Sequence, residues 1–134
     1  MKVFLLFAML FMHIVDDYYL QGILASLKQK SWWQEYAPQD LYKHDYIVAL
    51  FMHAFSWSFM TTLPIAIYMF INGSNEYLWF VYVFYIIYNT ICHAGIDHLK
   101  ANKKQINLIC DQLLHVGQIL ITYITFILCY EINI

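Results

Sequence analysis

Three residue pairs in this chain combine an imidazole with a carboxylate one helical turn away. His13-x-x-x-Asp17 closes the first apolar run and His93-x-x-x-Asp97 closes the third. Asp111-x-x-x-His115 opens the last run, with the order reversed. A four-residue spacing puts both side chains on one helix face. Another histidine, His53, lies early in the remaining apolar run. Imidazole suits zinc, iron, nickel or copper, and carboxylate suits magnesium or manganese. Helical bundles that hold two metals use Glu-x-x-His pairs, and an i, i+4 pair can serve similarly. The chemistry these residues suggest is metal binding. The candidate ligands are His13, Asp17, His53, His93, Asp97, Asp111 and His115, and the expected ion is divalent, zinc foremost. A carboxylate left over from ligation, Asp17 or Asp111, would be the general base.

Composition says what solvent surrounds these groups. Hydrophobic residues make up 62% of the 134 and charged ones 12%, whereas a soluble domain is nearer half apolar and a quarter charged. The mean hydropathy is positive, so a lipid bilayer is the expected surroundings. Net charge is −2 and all seven basic residues are lysines, which excludes a basic patch for nucleic acid. Cys92, Cys110 and Cys129 all fall in apolar runs. Their odd count argues against a disulfide framework and favours small buried hydrophobes.

The runs that must carry the site read as an all-α bundle of about four transmembrane helices, one domain over residues 1–134. The first span, about residues 3–24, starts basic and apolar like a signal peptide. It lacks a clear cleavage site beyond the weak pair Ala25-Ser26, and it is long enough to cross ~30 Å of hydrocarbon. Lys28 to Asp45 is polar and holds Trp32-Trp33 beside lysines, as expected of a short interfacial segment. The second span covers 46–71, with Pro64 as a possible kink. Asn72-Gly73-Ser74-Asn75 is a turn by composition. The third span covers 77–98, a lysine-rich turn follows over 100–105, and the fourth span covers 106–130.

Lysines concentrate in loops one (Lys28, Lys30, Lys43) and three (Lys100, Lys103, Lys104), with none in loop two. The expectation is that these two loops are cytoplasmic in a cell membrane and both termini outside, Lys2 notwithstanding. This topology brings all four His/Asp clusters to one membrane level. In each pair the aspartate lies nearer the cytoplasm and the histidine ~6 Å deeper. The faces continue through Asn89 and Lys100, through Gln118 and Thr122, and more loosely through Gln21. Lys100 is a candidate for receiving an anionic group, or simply a flanking lysine. His44 and His98 border the loops and are expected to be solvated. Asp16, about 100° from Asp17, is expected at the interface rather than in the site. Tyr82, Tyr85 and Tyr88 read as core or belt residues. Each His/Asp pair alone is a weak signal, and such groups also hydrogen-bond across helices as packing glue.

Taken in order, these residues resemble a family of small bacterial and phage membrane proteins known as domain of unknown function 3307. Its members open with H-x-x-x-D-F-x-L-Q, matched here by His13 to Gln21 with Tyr18 in place of the phenylalanine. They carry histidines in the second span, here only His53 where many have two. They then show H-x-x-x-D-x-x-K, here His93 to Lys100, and D-Q-x-x-H, here Asp111 to His115. The family is distantly similar to small membrane-bound metal-dependent hydrolases, and the resemblance implies metal-assisted hydrolysis.

Three functional readings follow. The first is a membrane-embedded metal-dependent hydrolase with its site near the cytoplasmic face of the bacterial inner membrane. A lipid headgroup or other phosphoester is then the substrate within reach. The second is a non-enzymatic phage or bacterial membrane protein whose polar cluster fixes helix packing or binds a partner in the bilayer. The third is an ion or proton pathway, disfavoured because the far half of the bundle is poor in polar groups.

Overall fold

The computed structural model describes residues 2–133, and every regular element among them is helical. α1 spans Lys2–Val15 and passes into a π-helical turn at Asp16–Leu20. Two short helices follow, α2 at Leu24–Leu27 and α3 at Lys30–Tyr36, then a 3-10 turn at Asp40–Tyr42. The long helices are α4 (Asp45–Asn72), α5 (Glu76–Ala101) and α6 (Leu108–Asn133). Four helical stretches are long and apolar enough to cross a membrane: Lys2–Leu20, Asp40–Asn72, Glu76–Ala101 and Leu108–Asn133. Such a set is compatible with a multi-pass membrane protein.

The helices close on themselves. α4 packs against both α1 and α5, α5 packs on α6, and α6 returns to α1. Polarity is inverted relative to a soluble bundle. Phe4, Phe70 and Phe80 are at least 73% exposed, while His53, His93 and His115 are fully buried. In water such an outer surface would be a large apolar liability. In hydrocarbon it is well solvated, and the polar groups must find one another inside.

The interior has two halves. Toward the ends marked by Tyr130 and Asn72 it is apolar, built from Leu5, Met9, Ile65, Met69, Leu78 and Phe126 with neighbouring aromatics. The Tyr130 hydroxyl closes that end by donating to the Gly73 carbonyl at 2.9 Å. A layer of Asn89, Gln118 and Thr122 separates this half from the polar one. Gln118 Nε2 donates to Asn89 Oδ1 at 2.7 Å, and Asn89 Nδ2 donates to Thr122 Oγ1 at 3.0 Å. Interhelical bonds of this kind contribute about 0.6 kcal/mol each on average.

Two sequence expectations change here, for the first span and for the cysteines. The first span is not one helix over 3–24: α1 ends at Val15, the π turn takes over, and Gly22 at φ +48° turns the chain toward α2. Only glycine adopts that φ cheaply. α4 runs unbroken from Asp45 to Asn72 with Pro64 inside it. Upstream of it, the Ser58, Thr61 and Thr62 hydroxyls bond back to Ala54, Trp57 and Ser58 carbonyls at 2.7 to 2.8 Å. The cysteines are not core residues either. Cys110 is exposed on an outer face of α6, and Cys92 and Cys129 are half-buried.

Loop one becomes α2 and α3. Asn102, just past α5, pins it: its Nδ2 donates to the Lys28 carbonyl at 3.1 Å and its Oδ1 accepts from the Lys30 amide at 2.6 Å. Loops one and three therefore meet at one end of the bundle. Trp33 Nε1 donates to the Leu27 carbonyl at 2.7 Å and braces the same segment.

Candidate metal centre

His13, Asp17, His53, His93, Asp97, Asp111 and His115 are all buried together in the polar half of the bundle. The i, i+4 pairs sit as their spacing dictates: His13 beside Asp17, His93 beside Asp97 and His115 beside Asp111. Asp97 lies at the middle. Its Oδ2 is 3.2 Å from His53 Nε2 and 3.7 Å from His93 Nε2, and its Oδ1 is 3.4 Å from His115 Nε2. Asp17 Oδ1 approaches His53 Nε2 to 3.4 Å, and the Nε2 atoms of His53 and His93 are 3.1 Å apart.

These separations are informative. Most exceed the usual 2.7–3.2 Å of an N–H···O hydrogen bond. Two donor atoms each ~2.0–2.1 Å from a zinc ion, at a tetrahedral angle, stand about 3.3–3.4 Å apart. Two buried groups bring their ligand atoms within 4.8 Å of one another: Asp17 with His53 and His93, and His93 with Asp97 and His115. Buried nitrogens are left over as well. Nδ1 of His53, His93 and His115 and Nε2 of His115 have no hydrogen-bond partner. Orphaned buried polar atoms are costly and call for a partner. The donor set fits a divalent transition metal.

Charge points the same way. Asp16, Asp17, Asp97 and Asp111 are buried carboxylates. Two ammoniums reach them, Lys28 on Asp97 Oδ2 and Lys100 on Asp111 Oδ2, both at 2.6 Å. With neutral imidazoles the cluster keeps two negative charges, which one divalent cation or two imidazole protons would balance. In a low-dielectric interior such an imbalance is expensive.

His13 and Asp111 stand outside both donor groups. His13 Nδ1 accepts from Trp57 Nε1 at 2.8 Å, and its Nε2 faces Gln112 Oε1 at 3.1 Å. Because the indole can only donate, the ring proton belongs on Nε2, which donates to Gln112. Gln112 Nε2 in turn donates to Asp111 Oδ2 at 3.0 Å. The chain Trp57–His13–Gln112–Asp111 uses both His13 nitrogens. Asp111 Oδ1 is buried without a hydrogen-bond donor, 3.4 Å from His115 Nε2.

Several residues here escaped the sequence reading. Trp57 stacks on His93 with ring centroids 4.2 Å apart, and His93 stacks on His115 at 4.1 Å. Its place one turn after His53 was a legible signal. Lys28 looked like an interfacial lysine, yet it enters the site because Asn102 holds its backbone. Asp16 is a correction: it is fully buried and accepts from Ser56 Oγ at 2.7 Å. It and Asp17 both lie in the π turn and both are buried. His98 is also not fully solvated, since it is half-buried and stacks on Tyr46. His44 is exposed, and Tyr82 and Tyr85 are buried, as expected. Gln21 donates to the Asp17 carbonyl.

The sequence pattern of a family described as protein of unknown function (DUF3307) matches residues 5–133. The chain belongs to this family. No curated protein and no solved structure matches it. The family description carries no activity.

Proposed function

We propose that this DUF3307 protein is a membrane-embedded, metal-dependent hydrolase of phosphoesters that works from the cytoplasmic face. The observation that supports the reading is the convergence of two buried donor groups, Asp17 with His53 and His93, and His93 with Asp97 and His115, which could hold a metal ion. The ligands would be His53, His93, His115, Asp17 and Asp97. A divalent ion there, zinc by its imidazole-rich donors, supplies Lewis acidity and an acidified water. Asp111 is the general base, because its Oδ1 is buried, unpartnered and outside both donor groups. Lys100 and Gln112 hold its other oxygen and fix its direction. Lys28 and Lys100 add positive charge at the mouth, where phosphoryl oxygens would lie. Lysine asymmetry between loops supports a cytoplasmic mouth.

The test is elemental analysis of protein purified without chelator, followed by phosphoester turnover. Bound metal lost in His93→Ala and His115→Ala, with turnover lost in both and in Asp111→Asn, supports the reading. Folded, metal-free parent protein overturns it. The packing reading would then stand, favoured by the Asn89–Gln118–Thr122 layer, whose side chains hydrogen-bond to one another across α5 and α6.

A further inference from the structure

We infer that the substrate is a phospholipid with an anionic phosphate headgroup, and that it enters sideways between α1 and α6. Calling the lipid a substrate rests on the metal-site reading above; Lys28 and Lys100 already offset two of the four buried carboxylates near the phosphate, and a metal ion would offset the rest. Along the α1–α6 seam runs a groove of about 640 Å³. Its walls are Leu10 and Ile14 from α1 and Val116 from α6, and its polar floor is His13, Tyr18 and Gln112. The residues flanking it on the outer surface are apolar and exposed, Phe11 at 60% and Leu113 at 66%. The groove thus opens where acyl chains would lie, and an open apolar wall there needs a chain to fill it.

The groove and the carboxylates lie on either side of two shared residues. Tyr18 and Gln112 line the groove and also line a small pocket of about 60 Å³ that contains Asp17, Asp97 and Asp111. That pocket shares Gln21, Lys28, Asp97 and Lys100 with a wider vestibule of about 400 Å³, which adds Gln29 and Lys104. Going from lipid to loop, the linings are mainly apolar with His13, then carboxylates with Lys28 and Lys100, then ammonium and amide. An amphiphile with an apolar tail and a phosphate head has the same order. Both ammoniums already make one short charge-assisted bond, to Asp97 and Asp111. A phosphate has acceptor oxygens enough to engage their remaining protons. A soluble phosphoester would use the vestibule alone and leave the groove empty.

The experiment uses the full chain in liposomes containing phosphatidic acid with a diazirine on its acyl chain. Photolysis and peptide mapping then locate the labelled residues. Labels should concentrate on Leu10, Ile14 and Val116, and Val116→Trp, which fills the groove, should lower them at least fivefold. Diacylglycerol bearing the same diazirine should label the seam no more than the other outer faces. Excess glycerol phosphate in water should compete poorly. Three results overturn the inference: even labelling around all four long helices, equal seam labelling by the neutral lipid, or full displacement by glycerol phosphate, which would place a soluble phosphoester in the vestibule. Metal content of the same preparation separates the two readings. Metal-loaded protein with even labelling removes the seam and keeps the centre. Metal-free protein with a labelled seam removes the hydrolase and keeps the lipid site.

Discussion

His13 and His93 look equivalent as sequence, each starting an H-x-x-x-D pair, and the structure makes them different. Changing each to alanine tests that difference. His93 Nε2 lies 3.1 Å from His53 Nε2 and belongs to both donor groups. His93→Ala should therefore abolish stoichiometric metal. His13 gives its two nitrogens to Trp57 and Gln112. Its loss orphans a buried indole N–H and an amide oxygen, at about 1–3 kcal/mol each if neither finds a new partner. Metal should still bind, weakened by roughly 10–100-fold, the usual loss when an outer partner of a ligand is removed. On the free-energy scale that is about 1.4–2.7 kcal/mol. Chelator-competition titration of zinc into both variants and the parent measures affinity and stoichiometry together. His13→Ala with no residual metal, matching His93→Ala, would refute the tautomer argument and make His13 a ligand.

Three further outcomes follow from the same geometry. Lys28→Met should tighten metal binding about tenfold or more, since the ammonium at 2.6 Å from Asp97 no longer competes, while kcat/KM on an anionic substrate falls; isothermal titration and turnover read the two. In the chelated state the same variant should melt lower than the parent, because a buried carboxylate loses its counter-charge; added zinc should restore most of the difference. Asn102→Ala removes two hydrogen bonds to loop one, worth about 0.5–1.5 kcal/mol each. Its effect should appear as faster amide exchange confined to residues 28–36, with metal content unchanged.

The fold was legible because hydrocarbon leaves few options. Runs of apolar residues as long as those ending at Asn72 and Asn133 can satisfy their backbone only as helices. The turns between them carry Gly73 or a lysine cluster. Convergence of the histidines was legible too, because antiparallel helices with short connections bring matching levels side by side. The connection between α5 and α6 carries Asp97 and Asp111 to the same imidazole, His115, at 3.4 Å on either side. What periodicity could not supply was which nitrogen faces which partner. That depends on rotamers set by Trp57 and Gln112, neither of which stands out by composition.

Asp16 shows the limit most plainly. On a regular α-helix adjacent residues point about 100° apart, so periodicity alone put Asp16 off the line of His13 and Asp17. Local sequence gives no reason to expect a π turn in Asp-Asp-Tyr-Tyr-Leu. The reason is tertiary: His53 approaches Asp17 from α4, and Ser56, nearly one turn further along α4, reaches Asp16. Widening α1 by one residue per turn lets both carboxylates meet α4 at once, and it leaves Tyr18, Tyr19 and Leu20 exposed. A π turn inside an α-helix is rare and is found mostly at functional sites. Here it lies where α1 meets the His/Asp cluster, and Tyr18, at its centre, borders both the groove and the carboxylate pocket. Deleting one residue from Asp16–Leu20 would restore α-helical register and turn one aspartate outward. Such a deletion should lower zinc affinity while circular dichroism stays helical. Unchanged affinity in the deletion variant would mean that Asp17 is dispensable and that the π turn serves packing alone.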